Sequence, residues 1–128
     1  MAKSDDRQVV NAVIAAAGSL SAAVKLGGKA VLGVMPETGT GVFDATTVYL
    51  LFSVSMDGTT FSMLKDRDEA VEYVTVAANN TNGATYIDPT KTAAWRYIKV
   101  ATYATDKTTA VAQTAETTIP LTIGTVLG

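Results

Sequence analysis

Apolar and polar positions alternate along much of this chain, and its strongest strand pattern runs from Thr47 to Ser55. Val48, Leu50, Phe52 and Val54 fall on one side of an extended segment, and Tyr49 and Leu51 fall on the other, because side chains on a strand point to opposite faces in turn. Asp57-Gly58 follows as a turn pair, with glycine free to take positive φ, and Thr60 to Leu64 reads as the returning strand. A second strong segment, Trp95 to Tyr103, sets Ile98 and Val100 opposite Trp95 and Tyr97. Ala30 to Met35 is a buried-strand run stopped by Pro36, and Ala70 to Ala77 alternates Val71, Tyr73 and Thr75 against Glu72, Val74 and Val76. Leu20, Ala22, Val24 and Leu26 have strand spacing, Thr85 to Ile87 is a brief strand ended by Asp88-Pro89, and Thr117 to Ile123 closes the series. Pro120 in that last segment points to an edge or a bulge. Gln8 to Ala16 fits a strand or a short helix, since its β-branched residues favour one and its alanines the other.

Gly18-Ser19, Gly27-Gly28, Glu37 to Thr46, Asn79 to Gly83 and Asp106 to Gln113 punctuate these segments as turns and loops. About eight short strands with turn signals roughly every ten residues predict an all-β, single-domain sandwich or jelly roll of antiparallel strands. The expected division is residues 1–16 as an N-terminal arm or first strand and residues 17–128 as the sandwich. Met1 to Arg7 is polar and reads as the arm proper.

The length of 128 residues suits one domain, and a globule of this size buries roughly two-thirds of its unfolded surface. Apolar residues make up 48% and charged residues only 17% of the chain, below the usual quarter. A surface so short of charge is either rich in Thr and Ala or covered by another molecule. With a net charge of −2 and no basic block, the chain lacks the cationic face that nucleic-acid binding requires. No apolar run reaches the length of a membrane span. Asp5 and Asp6 beside Lys3 and Arg7 argue against a signal peptide.

There is no Cys and no His, so disulfides, thiolate metal sites and the commonest general base and zinc ligand are all missing. Serine catalysis would need a lysine base, and Ser62 with Lys65 lies where a hairpin strand gives the wrong geometry. Glu72, Asp57 and Asp88 do not form a recognisable glycosidase pair, and the two aspartates read as turn formers. Asp66-Arg67-Asp68-Glu69 lacks the turn glycine and distant glutamate of a calcium loop and reads as a solvated connection. Gly39-Thr40-Gly41 before Val42-Phe43 lacks the lysine and helix of a phosphate cradle and reads as a flexible loop at an inter-subunit contact. The expectation is a non-enzyme with no cofactor, no metal, no nucleic-acid partner and no membrane partner.

Strands that are apolar on one face and half-apolar on the other need cover on both sides. The cover comes from a loop or the N-terminal segment folding back, or from a neighbouring subunit. The candidate interface residues are Tyr49, Leu51, Trp95, Tyr97 and Phe43, since aromatic anchors favour interface cores.

Five stretches carry a resemblance. They are Gly18 to Gly28, Leu32 to Pro36, Phe52 to Phe61, Ile87-Asp88-Pro89 and Trp95 to Val100. In this order, over roughly Ala17 to Ile123, the chain resembles small virion proteins of tailed bacteriophages, of the capsid decoration or head-accessory kind. Ser55-Met56-Asp57-Gly58, Phe61 and Arg96-Tyr97-Ile98-Lys99-Val100 are also similar to the discoidin-type jelly roll, although this chain has no His and no cluster of aromatics on neighbouring loops. The phage resemblance implies a protein made in the host cytoplasm and incorporated in the virion. Its implied partners are the major capsid protein and further copies of itself, commonly as a trimer. A tail, neck or fibre position, or a carbohydrate-binding module for host attachment, are the alternatives.

Overall fold

The computed structural model describes residues 6–80 and 83–125. The expected arm at residues 1–5 and the centre of the expected turn at residues 81–82 lie outside them. Nine strands occur among the described residues. They are β1 (Gln8–Ile14), β2 (Val24–Lys25), β3 (Ala30–Val34), β4 (Tyr49–Ser55), β5 (Ser62–Met63), β6 (Tyr73–Thr75), β7 (Thr85–Tyr86), β8 (Tyr97–Tyr103) and β9 (Thr117–Gly124). One sheet runs β1-β9-β3-β7 and the other β2-β8-β4-β5, with β6 also on β4, and every pairing is antiparallel.

Successive strands cross from one sheet to the other, apart from β4 to β6, and the pairs β1–β9, β2–β8 and β3–β7 nest inside one another. That is a long hairpin wrapped into two layers, the jelly-roll form of the β-sandwich. The chain is therefore all-β, as its alternation predicts. Gln8 to Ile14 takes the strand option, because Ala12 and Ile14 are buried in the core and all seven residues pair with β9. β1 is thus the first strand of the sandwich.

The core lies between the sheets. Leu50, Phe52 and Val54 of β4 and Ile98 and Val100 of β8 meet Ile14, Val31, Val34, Ile119, Leu121 and Ile123 of the opposite sheet in one cluster. Burying such side chains contributes about 1.5–3 kcal/mol each from area alone. β5 and β6 are two halves of an interrupted edge strand: β5 pairs with the end of β4 and β6 with its start. The excursion between them turns at Asp66, whose carboxylate accepts from the amides of Asp68 and Ala70.

Pro120 lies on the central strand β9, not at a sheet edge. It is tolerated because its backbone faces β3 where that strand runs out. Its carbonyl accepts from Met35 N, one residue past the end of β3, and on the other side it opposes Asn11. In an antiparallel ladder a residue's N and C=O point to the same neighbour, so the missing N–H faces no strand position. The expected irregularity falls on β3 instead, where the register shifts between Val31 and Gly33. Asp88 ends the β7 segment by capping a single turn of 3-10 helix, Pro89–Lys91, and its side chain accepts from Thr90 N. Thr92, at the end of that turn, is buried and its hydroxyl accepts from Val31 N.

Candidate interaction surface

The outer face of the β2-β8-β4-β5 sheet carries most of the residues expected at an interface. Register sets Tyr49 between Tyr103 and Thr75, and Leu51 between Ala101 and Tyr73. The Tyr49 and Tyr73 rings meet edge to face, 5.0 Å between centroids at 75°, a preferred arrangement of aromatic quadrupoles. The Lys107 ammonium lies 3.7 Å from the Tyr73 centroid and 4.9 Å from that of Tyr49. Lys99 sits 4.4 Å over Phe61 on the same sheet. Two ammonium–aromatic clusters therefore share one face.

Lys107 is placed by its loop. Asp106 accepts from the amides of Thr108 and Thr109 through one carboxylate oxygen and from the Thr109 hydroxyl through the other. These bonds hold the Asp106 carboxyl down to about 2, with the Thr109 hydroxyl the largest cause. The turn fixes Lys107 at a φ of +59° and aims its side chain back across the sheet.

A second cluster forms at the far end of β4 and β8. Ser55 Oγ accepts from the amides of Asp57 and Gly58, and Asp57 Oδ1 accepts from Thr59 N, Thr60 N and Ser55 Oγ. The amides of Thr60 and Thr59 and the Ser55 hydroxyl lower the Asp57 carboxyl to about 2. The turn is wider than the expected tight hairpin, because pairing resumes only at Val54 with Ser62. Gly58 has φ of +79°, and a Cβ there would meet the Tyr97 ring at 3.1 Å. Gly58→Ala should therefore destabilise the fold by about 1–2 kcal/mol from the left-handed backbone alone, with the ring contact adding to it. A denaturation midpoint equal to that of the parent chain would contradict this. Trp95, half-buried against the core, walls a cleft of about 400 Å³ with Met56, Met63, Leu64 and Lys65.

Not every expected interface residue is available. Tyr49, Trp95 and Tyr97 are partly exposed, whereas Leu51 is 0% and Phe43 4% exposed. The chain itself hides both. Leu51 is flanked by Ala101 and Tyr73, and Phe43 joins the core cluster while its amide donates to Ala78 O. Neither presents a surface to a partner. For Leu51 and Phe43, cover within the chain replaces the expected subunit contact.

The opposite outer face holds apolar residues absent from that set. Register aligns Val9, Thr122, Gly33 and Tyr86 in one row across β1, β9, β3 and β7. Tyr86 is 76% and Val9 56% exposed, and Met35 is exposed beside them. Gly33, having no side chain, floors a groove of about 400 Å³ bounded by Leu32, Met35, Tyr86 and Arg7. The sequence signal was the alternation of Tyr86 with buried Ile87 in a strand too short to weigh. Among the described residues no group of three or more His, Cys, Asp or Glu is placed to hold a metal ion.

No protein-family model matches the chain, and neither a curated protein nor a solved structure matches it.

Proposed function

We propose that this chain is a structural virion protein that decorates or cements a bacteriophage capsid, binding the major capsid protein and other copies of itself. The observation that carries the reading is the pair of outer faces. Both layers of one small sandwich expose large apolar side chains, Tyr73 and Leu20 on one and Tyr86, Val9 and Met35 on the other. Isolated exposed apolar residues are ordinary, but exposed apolar side chains that include a tyrosine on each face of a charge-poor domain suit a protein seated between neighbours. The sequence resemblance to phage decoration proteins supplies the particular assembly.

A cement of this kind acts by mass action. It binds the assembled shell and not the dispersed coat subunits, so it stabilises the shell. Contacts across several seams reinforce one another once the first is made. Particles stripped of the protein should open at a lower temperature than complete ones, and re-addition of the parent chain, but not of a Tyr73→Ser Tyr86→Ser variant, should restore the difference. Equal melting temperatures for stripped and complete particles would end the cement reading. A C-terminal label found only on the tail would move the protein to a tail, neck or fibre position.

The carbohydrate alternative would use the Trp95 cleft. Of the polar side chains that line it, Ser55 Oγ and Asp57 Oδ1 are committed to the Ser55–Thr60 turn, while Thr60, Ser62 and Lys65 also face the cleft. Glycan-array binding abolished by Trp95→Ala would favour it.

A further inference from the structure

We infer that β1 is a docking edge for a second copy of this chain, paired antiparallel, β1 to β1, about a two-fold axis at Val10. Among the described residues β1 lies at the end of its sheet, with β9 as its one strand neighbour. Val13 O, on the side away from β9, accepts from Ala22 N. Main-chain groups alternate in direction along a strand, so the N–H and C=O of Val9 and Asn11 point to that same open side. The opposition of Asn11 to Pro120, whose own carbonyl points to Met35, agrees with this alternation. No described residue bonds to these four groups, and Val9 and Asn11 are exposed.

Natural sheets guard such edges with lysine, proline, a bulge or a covering loop. Here Gln8-Val9-Val10-Asn11-Ala12-Val13-Ile14 has no charge and no proline, and its register with β9 is unbroken. The β1–β2 connection bonds to this edge at Val13. An unguarded span limited to Val9–Asn11 selects its own register. With Val10 opposite Val10 of the second copy, Val9 faces Asn11 across the seam and Asn11 faces Val9. All four open groups are then satisfied reciprocally by four hydrogen bonds, and the position opposite Val13 falls to Arg7 of the second copy, one residue outside its strand. A register centred on Asn11 would instead direct Val9 N–H at Val13 O, which Ala22 already occupies.

The side chains agree with the backbone. Val10 is half-buried and packs against the margin of the core. Its counterpart would complete its cover, and the two four-stranded sheets would join into one. No charged residue lies between Gln8 and Ile14, so like charges do not meet across the seam. β7, the other edge of this sheet, has only two paired residues and offers no comparable span. Such an isologous contact closes with two copies, unlike the trimer implied by the phage resemblance. It stands whether or not the chain sits on a capsid.

Sedimentation and scattering of the full purified chain should show a dimer that dissociates on dilution. The amides of Val9 and Asn11 should be protected from hydrogen exchange in the dimer and lose that protection in the monomer. Asn11→Pro removes one seam donor per copy while sparing the β9 ladder, since Asn11 N–H points away from β9. It should weaken dimerisation at least ~tenfold, with an unchanged circular dichroism spectrum. Val9→Lys, which restores a natural edge guard, should do the same, and it serves as the readout should proline prevent folding. A parent chain that stays monomeric from micromolar to millimolar concentration overturns the pairing. So does a dimer that persists in Val9→Lys, or one in which the Val9 and Asn11 amides exchange freely.

Discussion

Phe52→Ala should lower the free energy of unfolding by about 3–5 kcal/mol, read as a fall in denaturant midpoint at unchanged slope. Phe52 is 1% exposed at the centre of β4, opposite Val100 of β8, and heads the largest fully buried side chains. It belongs to the cluster in which both sheets meet. Truncation removes apolar area from burial and leaves a void that pleated backbone on both sides cannot close. Domains of this size hold about 5–15 kcal/mol in total, so the variant sits near the limit of folding at ordinary temperature. Thr75→Ala, on the outer side of the same sheet, is the contrast and should change the midpoint far less. A loss under about 1 kcal/mol for Phe52→Ala would mean that the two layers do not close on this ring.

The same contrast explains what could be read from the residues in order. β4 and β8 are legible because one face of each is apolar: Leu50, Phe52, Val54, Ile98 and Val100 are in, and Tyr49, Tyr97 and Lys99 are partly out, although Leu51, Ser55 and Ala101 on the other face are buried as well. The spacing of Leu20, Ala22, Val24 and Leu26 is equally regular, yet only Val24 and Lys25 form a strand. Ser21 is the reason. Its hydroxyl accepts from Val100 N while its own amide donates to Val100 O, so a side chain takes a place in the ladder that backbone would otherwise fill. Periodicity records which residues are apolar and not which atom accepts a bond.

The surface was legible in part for a related reason. A half-buried Tyr49 or Tyr97 follows from strand alternation. The concealment of Leu51 depends on Ala101 and Tyr73, which reach it only through pairing with two distant strands. The open edge at Val9 and Asn11 could not be read at all, because an edge is a property of strand order. Pro120 shows the converse. A proline within a strand points to an edge or a bulge, whereas its tolerance here depends on where a neighbouring strand happens to stop.

Gln113 ends the segment that the sequence marks as a polar loop, but it is 1% exposed and ties three connections together. Its side-chain oxygen accepts from Asp44 N at 2.9 Å, and its amide nitrogen donates to Thr47 Oγ1 at 3.0 Å and to Val111 O at 3.3 Å. Its backbone accepts from Ala17 N and donates to Gly18 O. Gln113→Ala keeps the backbone bonds and strands the Asp44 amide and the buried Thr47 hydroxyl. At about 1–3 kcal/mol for each group left without a partner, the expected loss is about 2–6 kcal/mol. Gln113→Glu separates hydrogen bonding from volume. It retains an acceptor for Asp44 N but replaces the donor facing Val111 O and places a carboxylate where water is excluded, near the Asp44 carboxylate that Thr114 holds. Burial raises the folded-state pKa of such a glutamate above its unfolded value of about 4.3. Its destabilisation is therefore full above the folded pKa and shrinks as pH falls toward the unfolded one. Measured against the parent chain at each pH, the Gln113→Glu deficit should be larger at neutral pH than in mild acid, while the Gln113→Ala deficit should not change. Equal deficits for Gln113→Glu at both pH values would mean that water reaches the site and that the three connections are joined by something other than this amide.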